Sequence, residues 1–175
     1  MKFNEDSRVK IPAILHCMRL GYEYLSIKNK NLDRDKSSNI FKNIFLKSIK
    51  NINPGISEKD CLNTLNKTIL SLDNADLGKL FYEKLTSKSG VKLIDFENFN
   101  NNTFQVVTEL TYKNKDEEFR PDITLLVNGM PLVFIEVKKP NNKDGILAEH
   151  KRIQTRFRNK KFRNFINITQ LMIFS

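Results

Sequence analysis

One stretch, FRPDITLLVNGMPLVFIEVKK at 119–139, constrains this chain more than any other. Two apolar runs, 119–127 and 132–138, flank Asn128-Gly129, the composition of a hairpin inside a sheet core. Set into those runs are two carboxylates and an ammonium: Asp122, Glu136 and Lys138. A charge in a dry strand is costly unless it is paired or holds a metal. A divalent ion held by Asp122 and Glu136, with Lys138 beside a reacting oxygen, accounts for all three. The bland alternative is a strand-end Asp122 and a solvated Glu136–Lys138 pair.

Parity sharpens the choice. Side chains alternate along a strand, so Glu136 and Lys138 share one face, and Ile135 and Val137 the other. A two-residue Asn-Gly turn with regular pairing sets Asp122 opposite Ile135, on the wrong face. A three-residue loop of Val127, Asn128 and Gly129 sets Asp122 opposite Phe134, in phase with Glu136. A bulge near Pro121 also restores the phase. The metal reading therefore predicts an odd loop or a bulge.

Pro121-Asp122 followed across a hairpin by Glu136-Val137-Lys138 resembles the PD-(D/E)xK nuclease superfamily. The wider context is more specific. NADLGKLFYEKLTSKSGVKLIDFENFNNNTFQVVTELTY at 74–112 and RPDITLLVNGMPLVFIEVKKP at 120–140 are similar to the N-terminal nuclease domain of the type I restriction enzyme R subunit. The likeness runs on, more loosely, through NITQLMIFS at 167–175. It implies an α/β restriction-endonuclease-like core of helix, three strands, helix and strand. It makes Asp122, Glu136 and Lys138 catalytic. The family's Gln-x-x-x-Tyr motif on the following helix is met by Gln154, but position 158 is Arg158, with Phe157 beside it.

The chemistry fits Mg²⁺, which prefers carboxylate, carbonyl and water oxygens. Asp122, Glu136 and the carbonyl of Val137 are the expected ligands, with Glu23 or Glu83 as alternatives for a third acid. Lys138 would orient or deprotonate the attacking water, or stabilise the transition state. Gln154 would hold a scissile-strand phosphate or a water; its plain alternative is an exposed helix residue. The resemblance implies double-stranded DNA as substrate, and methylase and specificity subunits as partners. ATP belongs to the family's motor. No Gly-rich phosphate-cradling motif occurs here, so the motor is expected to lie outside this sequence. The stop at Ser175, directly after an apolar segment, reads as an excised piece or a truncated gene.

Composition is consistent with that reading. The net charge is +10 over 175 residues, which favours a polyanionic partner, although a Lys- and Asn-rich bias gives the same sum. The run Lys151, Arg152, Arg156, Arg158, Lys160, Lys161 and Arg163 is a candidate track for a DNA backbone. Cys17 and Cys61 are far apart and belong to no ligand-spaced cluster, so two buried thiols in a reducing compartment are expected. No apolar run approaches the roughly 20 residues of a membrane span, and no signal peptide is visible, so a cytoplasmic protein is expected.

The periodicity predicts an N-terminal helical extension, 1–73, packed on a nuclease core, 74–175, in one compact domain. Helices are expected over 7–28, 38–50, from a Ser57 cap through Leu70, over 74–90 and over 146–157. Strands are expected over 91–96, 104–112, 119–127, 132–138 and 166–174, the last parallel to its neighbour because a helix crosses between them. Phe96, Phe99 and Phe104 read as core. Two rivals stand beside the restriction nuclease: a free-standing Mg²⁺-dependent nuclease, and a silent DNA-binding or assembly module that keeps the fold alone.

Overall fold

The computed structural model describes residues 6–28, 32–137 and 143–174. They form a mixed α/β structure around a five-stranded sheet. A π-helical turn, Asp6–Lys10, leads into α1, Ile11–Arg19, and then β1, Glu23–Tyr24. Three helices follow: α2, Lys42–Ile52; α3, Glu58–Ser71; and α4, Lys79–Thr86. The strands are β2, Phe104–Thr108; β3, Tyr112–Asn114; β4, Glu117–Phe119; β5, Ile123–Val127; and β6, Met130–Glu136. Helices α5, Lys143–Arg158, and α6, Arg163–Ile168, precede β7, Leu171–Phe174.

The sheet order is β1-β2-β5-β6-β7, and β3 and β4 form a separate hairpin. The central pairs β2–β5 and β5–β6 are antiparallel, while β1–β2 and β6–β7 are parallel. The parallel β6–β7 pair follows from the α5–α6 crossover, as expected.

Several boundaries differ from the periodicity. The helix expected over 7–28 stops at Arg19, because Gly21 turns the chain at φ +97° and Glu23–Tyr24 joins the sheet edge beside Gln105 and Val106. The helix expected over 74–90 is only α4, because its cap Gly78 is left-handed and packs hard on Asn167, whose carbonyl would lie 2.7 Å from an added Cβ. Residues 91–96 make no strand. Their backbone groups are taken by side chains instead: the Lys92 N–H donates to Asn53, the Lys92 carbonyl accepts from Asn53, and the Leu93 carbonyl accepts from Asn128. The expected strand 104–112 ends at Thr108, where Glu109 bends the chain at φ +54°. The first part of the expected strand 166–174 is the end of α6. Phe96 and Phe99 are exposed rather than core, while Phe104 packs on Tyr22.

Other local readings hold. The Ser57 hydroxyl accepts from the Asp60 N–H and caps α3, with Glu58 and Asp60 in its first turn. Cys17 and Cys61 are both buried and unbridged.

Both sheet faces are covered. Val106, Ile123, Leu125 and Val137 meet α1 through Cys17, with Ala13 and Ile14 at the margin. The other face of β6 meets an aromatic cluster of Phe119, Phe134, Phe162 and Phe165, with Ile153 of α5. A third cluster joins Met130 and Leu132 to α2, α3 and α4. The sheet thus holds β5 and β6 between packed layers on both faces, which is what makes the charges near their open end costly.

Candidate active site

The β5–β6 hairpin decides whether the motif carboxylates can meet. Its turn is the two-residue Asn128-Gly129, both left-handed at φ +52° and +76°. The expected three-residue loop, with Asp122 opposite Phe134, is therefore wrong. Regular pairing is wrong as well. Leu126 pairs Pro131 but Leu125 pairs Val133, so Leu132 is an extra residue bulged out of β6. Pro131 lies beside that bulge, where its missing N–H breaks no regular ladder.

Beyond the bulge Ile123 pairs Ile135. Continued by one step, that register would put Asp122, just before β5, opposite Glu136, the last residue of β6. On that register the two would share the face of Thr124 and Phe134. The irregularity expected in place of a three-residue loop is thus present as a bulge beside the turn; it lies in β6, not by Pro121.

A hydrogen bond secures the arrangement. The Val137 N–H donates to Asp122 Oδ2 at 3.0 Å, tying the first carboxylate to the backbone just after the second. Glu136 is buried at 5% exposure, while the Asp122 side chain is 24% exposed. The donors are hard oxygens, one lining the interior and one reaching solvent. That set suits Mg²⁺, which keeps several waters and needs few protein ligands. Among the described residues no group of three or more His, Cys, Asp or Glu is placed to hold a metal. Lys138 lies outside the described residues.

Glu23 is on the exposed edge strand β1, with β2 and β5 between it and β6. Glu83 is exposed on α4 and sits 3.9 Å from Lys79. Gln154 is exposed on α5, next to the buried Ile153.

Three charged residues that the motif does not contain lie around the hairpin's open end or on the helix above it. Lys10 places its ammonium 2.9 Å from Glu109 Oε1 and 3.7 Å from Asp122 Oδ1. The hydrogen bond and charge of Lys10, with Arg120 at 3.6 Å, hold the Glu109 carboxyl below its usual range. Glu149 on α5 is buried and accepts from Arg152 at 3.0 Å and Arg156 at 3.4 Å. Arg156 also stacks 4.0 Å over the Phe119 ring. No sequence signal marks Lys10 or Glu109. Glu149 had a weak one: it lies four residues before the inward-facing Ile153, on the same helix face.

The basic run is partly neutralised. Besides Arg152 and Arg156, Lys161 pairs with Asp116 at 2.6 Å and Arg163 with Asp73 at 3.3 Å. Lys151, Arg158 and Lys160 make no ion pair among the described residues. Among those residues no helix is long and apolar enough to cross a membrane.

Comparison with known proteins gives a consistent result. The family model described as type I restriction enzyme R protein N terminus matches residues 2–175. The "Putative type I restriction enzyme MjaIXP endonuclease subunit" of Methanocaldococcus jannaschii is 37% identical over 164 residues, covering 81% of this chain and 16% of that protein. The type I restriction enzyme HindI endonuclease subunit of Haemophilus influenzae is 29% identical over 147 residues, covering 69% of this chain and 14% of that protein. The chain spans less than a fifth of the length of these relatives.

Proposed function

Since the chain belongs to the family of type I restriction enzyme R protein N termini, we propose that it is the nuclease module of such an enzyme, a PD-(D/E)xK fold that cuts double-stranded DNA with Mg²⁺. The observation that carries this reading is the Asp122 carboxylate held by the Val137 N–H, one residue past Glu136, across a hairpin whose bulged register would, continued one step, pair Asp122 with Glu136. Bringing two carboxylates toward one ion accounts for a bulge that regular strand pairing would not require.

In this reading Asp122, Glu136 and the Val137 carbonyl would hold the ion. When bound, Mg²⁺ supplies charge relief at the phosphate and a more acidic water. Asp122 and Glu136 would fix where the ion sits, and the buried aromatic cluster behind Glu136 would keep bulk water from that side. Lys138 handles the proton of the attacking water or steadies the developing charge. Gln154, exposed on α5, contacts a phosphate of the scissile strand. Lys151, Arg158 and Lys160, which lack ion-pair partners among the described residues, are the part of the basic run best placed to track DNA. In the longer enzyme the module would act with an ATP-driven motor and with methylase and specificity subunits, in the cytoplasm.

Incubation of linear duplex DNA with this chain, with Mg²⁺ and with EDTA, and with Asp122→Asn in parallel, tests the proposal. Cleavage by the parent with Mg²⁺ only, lost in Asp122→Asn, is the expected result. DNA binding without cleavage under every condition would give the lead to the silent module.

A further inference from the structure

Lys10 belongs to no part of the nuclease motif, yet its ammonium lies between two carboxylates at the mouth of the site. Its side chain is only 11% exposed, so this is not a lysine waving in solvent. It is anchored where the π-helical turn enters α1, and its neighbours Val9 and Ala13 pack against the sheet cluster of Ile123 and Val137. One acceptor is the motif residue Asp122, at 3.7 Å. The other, Glu109 at 2.9 Å, takes an uncommon backbone conformation, φ +54°, and its N–H donates to the Asp122 carbonyl at 3.1 Å. Glu109 and Asp122 are thus fixed to each other by backbone, and Lys10 is shared between them. Arg120 is the other cation facing Glu109, at 3.6 Å.

We propose that Lys10 is a built-in counter-ion of Asp122, a positioning residue that holds the carboxylate in place without metal and that a divalent ion must outcompete. The inference rests on the reading of Asp122 as a metal ligand. The charge arithmetic gives its sign. A positive charge within 4 Å of a ligand oxygen stabilises the bare carboxylate and opposes an arriving cation. Glu109 gives the ammonium a second acceptor, so Lys10 can give up Asp122 without becoming a buried, unpaired charge. Lys10 therefore sets how tightly Mg²⁺ binds, while the two motif carboxylates set where it binds.

The test is calorimetric titration of Mg²⁺ into the 175-residue chain, with metal-free thermal melts of the same samples. The proteins are the parent, Lys10→Met, Lys10→Arg, Asp122→Asn and the Lys10→Met/Asp122→Asn double variant. Lys10→Met is expected to bind Mg²⁺ about three- to ten-fold more tightly. Lys10→Arg is expected to return to parent affinity, because it keeps the charge. Without metal, Lys10→Met is expected to melt lower than the parent, and by less in the Asp122→Asn background, since the lost partner is shared. Affinity for Mg²⁺ that is unchanged or weaker in Lys10→Met overturns the proposal. So do metal-free effects that add without coupling. The metal reading itself fails by a different result: Asp122→Asn binding Mg²⁺ as the parent does.

Discussion

The two ends of the β5–β6 hairpin are built on opposite principles. At the turn, the buried side chain of Asn128 is matched on both its oxygen and its nitrogen. The Asn128 amide donates to the Leu93 carbonyl at 2.9 Å and to Asn102 Oδ1 at 2.9 Å, and its oxygen accepts from the Thr103 N–H at 2.8 Å. Asn102 in turn donates to the Asp95 carbonyl. Gly129 brings the backbone so close to α2 that the Phe41 N–H donates to its carbonyl at 2.9 Å. At the open end, Asp122 and Glu136 follow directly on the last pair of the ladder, and the hydroxyl oxygen of Thr124 nearby is buried with no hydrogen-bond partner among the described residues. The turn is held by a hydrogen-bonded asparagine, whereas the open end gathers charge. Satisfied networks rigidify a fold, whereas strained and charged groups persist where something else holds them. On the proposed nuclease reading the turn end serves stability and the open end serves chemistry, and substitutions should divide along that line.

The largest effect is expected at the open end and should touch activity alone. Glu136→Gln should lower DNA cleavage by about 10³-fold or more, the scale of losing several kcal/mol of metal-derived charge stabilisation. The variant should still fold, and Mg²⁺ should raise the melting temperature of the parent and not of the variant. Equal Mg²⁺-induced shifts in both would show that Glu136 is not part of the metal site.

The next effects belong to the turn end and should touch stability first. A Cβ at Gly129 would lie 2.8 Å from both the Phe41 carbonyl oxygen and the Phe45 nitrogen, and the position is left-handed besides. Gly129→Ala should cost about 3 kcal/mol or more in urea unfolding, because backbone cannot step aside. A loss under about 1 kcal/mol would mean that the turn and α2 separate easily, and the contrast between the two ends would weaken. Asn128→Gly keeps the left-handed backbone and removes only the side-chain hydrogen bonds. It should cost about 2 kcal/mol, for the buried Leu93 carbonyl and Thr103 N–H left unpaired.

The smallest effect concerns acid. The N–H of Asn98 and the side-chain amide of Asn101 hold the Asp95 carboxyl below its ordinary value of 3.8. A group depressed in the folded state adds stability that is complete above the unfolded value and fades as pH falls through the folded one. The stability gap between the parent and Asp95→Asn should therefore be constant near neutral pH and shrink below about pH 4. A gap that widened in acid would contradict the hydrogen bonds assigned to the carboxylate.

Part of this division can be read in the sequence. Asn128-Gly129 between two apolar runs announces a hairpin, because few residues other than glycine and asparagine take a left-handed turn without cost. Ser57 ahead of an acidic turn announces a helix start. Asp122 and Glu136 are close along the chain, one just before β5 and the other at the end of β6, so their register depends on one local feature, the bulge. Parity showed that some irregularity was needed but could not choose its site. Pro131 interrupts the ladder at that place, and α2 packs on the turn from elsewhere in the chain.

The remainder was settled by long-range contacts, which local pattern does not carry. Residues 91–96 look like a strand, yet their hydrogen-bonding groups are claimed by Asn53 and Asn128, each some thirty residues or more away. The basic run after Lys151 looks uniform, yet Asp73, Asp116 and Glu149 neutralise four of its members and leave three without ion-pair partners among the described residues. Lys10 looks like an ordinary N-terminal lysine until the packing of α1 carries it to Asp122. The sequence by itself determined which residues can do chemistry and which local turns present them, because backbone preference and side-chain alternation act over a few residues. Only the tertiary structure decided which charges face one another, because a Coulomb partner is chosen by distance in space, and that distance is set by the packing of the whole core.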